Sequence, residues 1–459
     1  MQASVRVFMN TGALYVKLFI TTIIQLYLIR VVLNTLGVED FGIYTITAGV
    51  IAMLSFLNSA LMSSTQRYLS VTMGSADKEM LKIVFSVSFF LHLLLAIFLI
   101  IILEICGLFL FDGFLNIPEN RIGVGKIIYH VMIISVFFTI IGAPYNAVIN
   151  AHEDLWFFSI VEIVGALLKL ALVVGFKVIH YDALLLYAIW MMAVTIIVYI
   201  IKYIWCRIRY LQIKLNVHGI LGNKALIKEL SSFTGWNTLG SLARTGRNQG
   251  VTITLNVFFG TAINAVFGIA NQVASSLLYF SQMMTTSMAP QIAKSKGTAD
   301  TGRMRYLSIL TSKVAFLLSA IIAIPLLIEL DDVLKIWLKE VPEYTYLYCQ
   351  IIILLFLVTQ LYPGLVRGIQ ANGNIKWYQI LVSVLLLIPI PIGIILFSFN
   401  YPHYYILYAM LVAQVLTFIV TVYMAHQLIG IDIKSYGIFT AKSILLVIIT
   451  YLIGNFIHI

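Results

Sequence analysis

Apolar residues gather into thirteen long blocks along the chain, and short polar segments separate them. Each block holds about 20 residues with few charges, which is the length that a helix needs to cross ~30 Å of hydrocarbon. The pattern predicts an all-α integral membrane protein without a soluble domain. The predicted spans are residues 11–33, 41–62, 83–108, 127–148, 155–176, 183–205, 233–258, 262–284, 306–330, 346–366, 377–397, 404–425 and 436–457.

The longest polar break, residues 207–229, divides the spans into two groups of six. It predicts an N-terminal lobe over residues 1–206 with helices 1–6 and a basic cytoplasmic linker over 207–229. A C-terminal lobe with helices 7–12 follows over residues 230–428. Residues 429–459 add a thirteenth helix to this pattern.

The two groups of spans also resemble each other in sequence. Asn10-Thr11 and Asn237-Thr238 open the first and seventh blocks, and three further pairs follow in the same order. Four ordered matches indicate an internal duplication. Six spans per half make the repeat parallel, and transporters of that kind bind substrate between the halves and alternate access by rocking. The further pairs are Phe41-Gly42-Ile43 with Phe267-Gly268-Ile269, residues 73–77 with 296–300, and residues 144–156 with 363–377.

Composition agrees with a membrane protein, since 61% of the residues are hydrophobic, 10% are charged and the mean hydropathy is +1.00. The net charge of +10 comes largely from Lys and Arg in alternate connecting segments. Cytoplasmic loops carry such an excess, so the distribution predicts a cytoplasmic N-terminus and gives no reason to expect a nucleic-acid partner. Lys202 is counted here among the cytoplasmic loop cations.

Several cations nevertheless fall within apolar blocks. Apart from Glu329 at the outer end of the ninth block, Glu104 and Glu162 are the only acids there. A Lys or Arg at the centre of a membrane helix costs about 2.5–3.5 kcal/mol, so such residues usually face a water-filled cavity or a partner. The excess of cations predicts a cavity that attracts anions. The cations are Lys17, Arg30, Lys169, Arg244, Arg247, Lys313 and Lys442.

Helical spacing groups these cations with neutral polar residues. In the seventh block a polar stripe recurs every three or four residues, and the first block carries a thinner stripe. Glu162 and Lys169 share a face of the fifth block. We therefore expect one cationic substrate cavity between the halves, formed by Arg244, Arg247, Lys17, Lys169, Arg30 and Lys313, lined by Gln25, Asn237, Ser241 and Asn248, with Glu162 as the candidate for ion coupling.

Other interpretations of these positions stay open. Lys17, Arg30 and Lys313 lie near block ends, so snorkelling to an interface is an equal alternative for them. Lys442 lies in the additional block and fits snorkelling better than function. Glu162 and Lys169 are spaced to interact with each other through water.

An anion-seeking cavity with two arginines one turn apart suits phosphate, because the planar guanidinium group makes bidentate, charge-assisted hydrogen bonds. A diphosphate that carries a polar sugar chain would fit such a cavity, and its lipid tail could remain in the bilayer.

Four motifs lie in residues 29–44, 64–68, 143–147 and 151–154. They resemble those of the Wzx-type polysaccharide flippases, which belong to the MOP superfamily with the MATE antiporters and the MurJ-type lipid II flippases. The resemblance implies two six-helix lobes in a V around a cationic chamber. It also implies transfer of an undecaprenyl-diphosphate-linked oligosaccharide to the outer leaflet of the bacterial inner membrane, driven by Na⁺ or H⁺ gradients or the membrane potential. A polysaccharide polymerase and export machinery are the implied partners.

Three rival functions are weighed against a flippase of this type. A MATE-like antiporter for cationic drugs requires buried carboxylates that bind the coupling ion or the drug, and only Glu162 is a credible candidate. A MurJ-like lipid II flippase would need a similar cationic chamber, so only the sequence resemblance to the Wzx-type family favours that family over the MurJ-like one. A membrane enzyme should show a large catalytic outer loop, which is missing, and neither a phosphate-binding loop for ATP nor a metal-ligand spacing of His residues occurs.

Overall fold

The computed structural model describes residues 3–52, 55–111, 119–175, 182–211, 213 and 215–458. Within these ranges the regular structure is helical, as predicted, and the chain divides into two compact units, Met1–Thr234 and Gly235–Ile459. The helices are α1 Ala3–Ala52, α2 Ser55–Gly74, α3 Lys78–Phe109, α4 Glu119–Ala151, α5 Leu155–Gly175, α6 Ala183–Arg209, α7 Val217–Gly222, α8 Lys224–Gly297, α9 Thr301–Ile328, α10 Leu330–Leu338, α11 Thr345–Gln360, α12 Pro363–Asn372, α13 Lys376–Leu387, α14 Pro389–Ser398, α15 Tyr405–Ile429 and α16 Ile433–His458.

Eight helices among the described residues are long and apolar enough to cross a bilayer, or nine if α11 and α12 count as one span. The protein is therefore a multi-pass membrane protein. The tenth predicted block, residues 346–366, falls on α11 and the start of α12. The structure bends it by 43° between these two helices, because Pro363 lacks the N–H that a continuous helix needs.

Two glycines break long helices at related places in the two units. Gly37 in α1 has φ 78° and ψ 172°, and Gly260 in α8 has φ 77° and ψ −170°. These are conformations that residues with a Cβ atom rarely adopt. Each break lies where the sequence predicts a boundary between two apolar blocks, residues 11–33 and 41–62 in α1 and residues 233–258 and 262–284 in α8.

The turn after each of these helix pairs is also repeated. Ala76 and Ala299 both adopt a left-handed conformation, with φ of 58° and 55°. The next residue in each turn caps the following helix: Asp77 accepts a hydrogen bond from the backbone N–H of Met80 at 2.9 Å, and Asp300 accepts one from Arg303 at 2.8 Å. These paired conformations agree with the duplication that the sequence predicts.

In the first unit, α4 packs against α2, α3 and α6, and α1 packs along α5. Arg121 at the start of α4 donates to the carboxylates of Asp40 and Asp182, so it joins the segment after the α1 break to the residue that caps α6. Burial raises the pKa of Asp182, but backbone N–H groups and Arg121 stabilise the carboxylate and hold the pKa below its ordinary value. This ion-pair network fixes three helix ends of the unit together.

In the second unit, α9 packs against α11, α12 and α16, and α15 packs against α11 to α14. The predicted thirteenth helix is α16, which lies against α9. At the start of α12 the chain approaches α9 closely: a Cβ atom on Gly364 would overlap the backbone oxygen of Ser308 and lie 2.7 Å from the backbone nitrogen of Ser312. Helix–helix contact at this point requires glycine.

We expect Gly364→Ala to lower the stability of the folded protein by more than about 2 kcal/mol, because the rigid backbone of α9 has to move. Gly437→Ala in α16 is the matched control, since no atom lies within 4 Å of its added Cβ, and alanine there should be neutral or stabilising by about 0.5–1 kcal/mol. Thermal unfolding of the two purified variants in detergent measures the difference. Equal melting temperatures would contradict the close approach.

Candidate functional site

A polar cavity of about 530 Å³ lies inside the first unit, between α1, α4, α5 and α6. Four of the residues that the sequence predicts for the site line it together. They are Lys17 and Gln25 of α1 and Glu162 and Lys169 of α5. Other lining residues are Thr21, Ile24, Leu28, Phe138, Thr139, Gly142, Asn146, Gly165, Ala166, Met191, Val194, Thr195, Val198, Tyr199 and Lys202.

Helical periodicity explains why these residues meet. Lys17, Thr21 and Gln25 follow one another at intervals of four residues, so they share one face of α1. The Thr21 hydroxyl donates to the Lys17 carbonyl at 2.7 Å, within the helix itself. Gly165 lets α5 approach α6, because a Cβ atom there would lie 3.0 Å from the Val198 side chain. The close approach brings the charged face of α5 against that of α6.

The central contact of the cavity is an ion pair between α5 and α6. Lys202 Nζ lies 2.6 Å from Glu162 Oε1. The Lys202 side chain is only 6% exposed, whereas the Glu162 side chain is 36% exposed toward the cavity. The ammonium groups of Lys17 and Lys202 also stand over the ring of Phe158, at 5.0 and 4.8 Å from its centroid. Cation–π contact of this kind stabilises partly desolvated ammonium groups.

Lys202 was expected among the cytoplasmic loop cations, and this expectation is wrong. Helix α6 continues to Arg209, and the Lys202 side chain points inward to Glu162 instead of outward to water. Lys202 is close in sequence to the basic residues Arg207 and Arg209, so a count of loop cations from the sequence includes it with them. The one sequence signal that could have found it is the acid Glu162, which needs a partner inside an apolar block.

The charges of the cavity do not balance. Glu162 is the only acid among the lining residues, whereas Lys17, Lys169 and Lys202 are three bases. Glu162 pairs directly with Lys202, although the sequence spacing had suggested a water-mediated contact with Lys169. Lys17 and Lys169 interact with the same carboxylate at longer range. The cavity therefore keeps an excess of positive charge.

Two of the predicted arginines lie on α8 in the second unit. Arg247 is half-buried, and its Nη1 donates to Gln414 Oε1 at 3.1 Å, while its Nε is 3.4 Å from Asn248 Oδ1. Arg244 is exposed on the surface of the unit, one turn earlier. Among the described residues neither guanidinium forms a salt bridge. The second unit thus presents two neighbouring unneutralised cations.

The other predicted residues of the second unit are separated. Asn237 is buried and accepts a hydrogen bond from Gln379 at 3.0 Å, so it is part of the packing of α8 against α13. Ser241 is half-buried and Asn248 is exposed. The Lys313 ammonium of α9 stands over the ring of Phe439 of α16, 5.0 Å from its centroid.

Arg30 belongs to α1, but its side chain lies outside the described part of the structure. In the described residues no group of three His, Cys, Asp or Glu side chains is arranged to hold a metal ion.

The sequence matches no protein-family model and no curated protein. The structure is similar to solved transporters. A multidrug-resistance MATE-family transporter of the MOP superfamily, in an outward-facing conformation, matches with a TM-score of 0.78 at 13% identity over 94% of this chain and 96% of its own. A MATE structure in the bent conformation matches with a TM-score of 0.81 at 12% identity, over 96% and 97%.

A third similar structure is a MOP-superfamily transporter from Pyrococcus furiosus, whose binding pocket is described as having reverse polarity that suggests a different function. It matches with a TM-score of 0.77 at 12% identity, over 92% of this chain and 95% of its own. The chain therefore has the fold of the MATE transporters along nearly its whole length.

We expect the ion pair of the cavity to stabilise the first unit. Lys202→Met should destabilise the protein because it leaves Glu162 without its contact partner, and adding Glu162→Gln should recover part of the loss. A double-mutant cycle of thermal unfolding should give a coupling energy of about 1–3 kcal/mol.

The control cycle is Lys82→Met with Glu79→Gln, an ion pair of the same 2.6 Å length on the surface of α3. Its coupling should stay below about 1 kcal/mol because exposed pairs contribute little. A cavity pair that couples no more strongly than this surface pair would contradict the buried geometry.

Proposed function

We propose that the protein is a flippase that moves an anionic lipid-linked oligosaccharide, of the undecaprenyl-diphosphate class, from the cytoplasmic to the outer leaflet by alternating access. The observation that carries the proposal is the cavity of the first unit, in which three lysines surround one glutamate. A cavity with this excess of positive charge attracts anions and repels cations.

The arrangement of the lysines supports an anionic group as the cargo. Lys202 is already neutralised by Glu162 at 2.6 Å, whereas Lys17 and Lys169 are in contact with the cavity and share that carboxylate only at longer range. An ammonium group in a partly desolvated site gains most from a mobile anion that enters the cavity. Phosphate oxygens accept charge-assisted hydrogen bonds from such groups.

The uncharged lining residues of the cavity suit the sugar part of the proposed cargo. Gln25, Asn146 and Thr195 offer hydrogen-bonding groups, and Tyr199 and Phe138 offer ring faces. Carbohydrates present hydroxyl groups at their edges and C–H groups on their ring faces, so they use both kinds of surface. In the proposed mechanism the lipid tail stays in the bilayer while the headgroup passes through the protein.

The arginines of the second unit support a positively charged path for the headgroup. Arg244 and Arg247 lie one turn apart, and Asp and Glu are absent from the parts of α8, α9 and α11 to α16 that belong to Gly235–Ile459. The similar transporter from Pyrococcus furiosus is described as having a binding pocket of reverse polarity, so this fold is compatible with more than one pocket polarity. We propose that both units contribute cations to the path of the headgroup.

Glu162 is the proposed coupling group. Its carboxylate is part of the cavity and contacts Lys202, so binding of H⁺ or Na⁺ would change the charge that the cargo meets. The proposal further assumes the bacterial inner membrane and a cytoplasmic N-terminus. Lipid II, the cargo of a MurJ-like flippase, carries the same diphosphate and remains a cargo of the same chemical class.

A MATE-like antiporter for cationic drugs is the second candidate, and Glu162 is the observation that favours it. A carboxylate in the cavity of this fold could attract a cation. The pairing of Glu162 with Lys202, and the presence of Lys17 and Lys169 beside it, weigh against this function because the cation would enter a site that is already positive.

The test uses cells that lack their native flippase and produce a variant of this protein. We expect these cells to lose surface polysaccharide with either of two double variants, Lys17→Ala with Lys169→Ala or Arg244→Ala with Arg247→Ala. Each should reduce export by about tenfold or more, since a charge-assisted hydrogen bond contributes ~1.5–3 kcal/mol. Quantification of surface polysaccharide at equal protein level measures this. Lys442→Ala, which removes an exposed cation from α16, is the control that should export normally. Normal export by both double variants would overturn the proposal.

Efflux of a cationic dye separates the two candidate functions. Cells that produce the protein should retain ethidium as cells without it do, because the lysines repel the dye. Dye accumulation followed by fluorescence measures this, with a known MATE antiporter as the positive control. Ethidium efflux that Glu162→Gln abolishes would favour the antiporter instead.

A further inference from the structure

The break between α11 and α12 is tied to four other helices of the second unit. The carbonyl oxygen of Leu361 accepts a hydrogen bond from the hydroxyl of Tyr436 of α16. The hydroxyl of Ser312 in α9 accepts hydrogen bonds from the backbone N–H groups of Gly364 at 3.0 Å and Leu365 at 3.3 Å. Backbone groups that a bent helix leaves unpaired are costly in a membrane, and these contacts satisfy them.

The side chains on either side of Leu361 are also fixed. Gln360 accepts a hydrogen bond from Ser281 of α8, and the hydroxyl of Tyr362 accepts one from Nε2 of Gln414 of α15. All four side chains are buried. The break is therefore a rigid point of the unit, and the position of Tyr362 is set by several helices at once.

Gln414 forms hydrogen bonds with both Tyr362 and Arg247, so the fixed position of Tyr362 also orients Arg247. Gln414 Oε1 accepts from Arg247 Nη1 at 3.1 Å while Gln414 Nε2 donates to the Tyr362 hydroxyl. A guanidinium can only donate, so the amide oxygen of Gln414 must face Arg247 and the amide nitrogen must face Tyr362. Both ends of the amide are thus used, and one N–H of Arg247 is held in a defined direction.

The acceptor that holds Arg247 carries no charge, and this is uncommon for a half-buried arginine. A glutamate at position 414 could make the same hydrogen bond, and the hydroxyl of Tyr362 could then donate to it. Such a carboxylate would neutralise the guanidinium. A glutamine orients Arg247 and leaves its full positive charge for another partner.

We propose that Gln414 is a specificity-determining positioning residue, which aims the Arg247 guanidinium at a phosphate or diphosphate group and keeps it unneutralised. This inference rests on the proposed function, in which Arg247 meets an anionic headgroup. Tyr362 at the helix break is the fixed support of Gln414.

The test measures the binding of inorganic pyrophosphate to the full-length protein in nanodiscs of zwitterionic lipid, by calorimetry. Gln414→Glu should weaken binding by about tenfold or more, since it replaces an aimed cation by a neutral pair. Gln414→Leu should weaken binding less, because the charge of Arg247 remains while its direction is lost. Thermal unfolding should show the opposite order, with the leucine variant the less stable, because it leaves Tyr362 and Arg247 without their partner.

Asn372→Asp is the matched control. Lys296 Nζ donates to Asn372 Oδ1 at 3.0 Å, so an uncharged amide again holds a cation in the same unit, and neither residue has a part in the proposed site. Pyrophosphate affinity should stay within about twofold of the unmodified protein in this variant, and a comparable loss there would overturn the specific role of Gln414.

Two further outcomes separate this inference from the function on which it rests. Arg247→Ala that binds pyrophosphate as tightly as the unmodified protein would remove Arg247 from the proposed function. Weak binding by Arg247→Ala together with unchanged binding by Gln414→Glu would overturn only the role of Gln414. A greater loss of affinity with leucine than with glutamate would also overturn it, because a merely structural role gives that order.

Discussion

Charge in a low-dielectric interior requires compensation, and the pair of Lys202 and Glu162 supplies it for the first unit. Removing an ammonium and a carboxylate from water costs several kcal/mol each, so the contact at 2.6 Å is what allows either group to stay between α5 and α6. The cavity depends on this pair, since the carboxylate also moderates the repulsion among three lysines. Because the Glu162 carboxylate contacts Lys202, the charges of Lys17 and Lys169 remain available to a mobile anion.

The same requirement applies to the backbone wherever a spanning helix is interrupted. Gly37 and Gly260 interrupt α1 and α8 with nearly the same dihedral angles. At the break at Leu361, Ser312 and Tyr436 from two other helices satisfy the backbone groups, and Gln414 from a third helix holds the Tyr362 side chain. Interruptions that are satisfied by neighbouring side chains become fixed points, and a polar side chain attached to such a point is held in one direction.

Hydropathy and repeats predicted the fold well, because burial in lipid imposes the same length on every span. The boundary near Gly260 and the repeat between residues 73–77 and 296–300 were visible in the sequence. The partners of the charges were not, because hydropathy does not say which way a side chain points. Lys202 lies 40 residues from Glu162, and Arg247 lies 167 residues from Gln414. Contacts over such separations depend on helix rotation, which a single sequence does not fix.

The two units treat their cations in different ways. In the first unit a carboxylate takes part in the cluster. In the function we propose, binding of a proton or a metal cation to this carboxylate would change the charge of the cavity. In the second unit Arg247 is held by an uncharged amide. Arginine stays protonated under all ordinary conditions, so its charge does not respond in this way. In the function we propose, Arg247 would give a constant attraction that selects the anionic headgroup, and Glu162 would give an adjustable charge that releases it. The two groups lie in separate units of the chain.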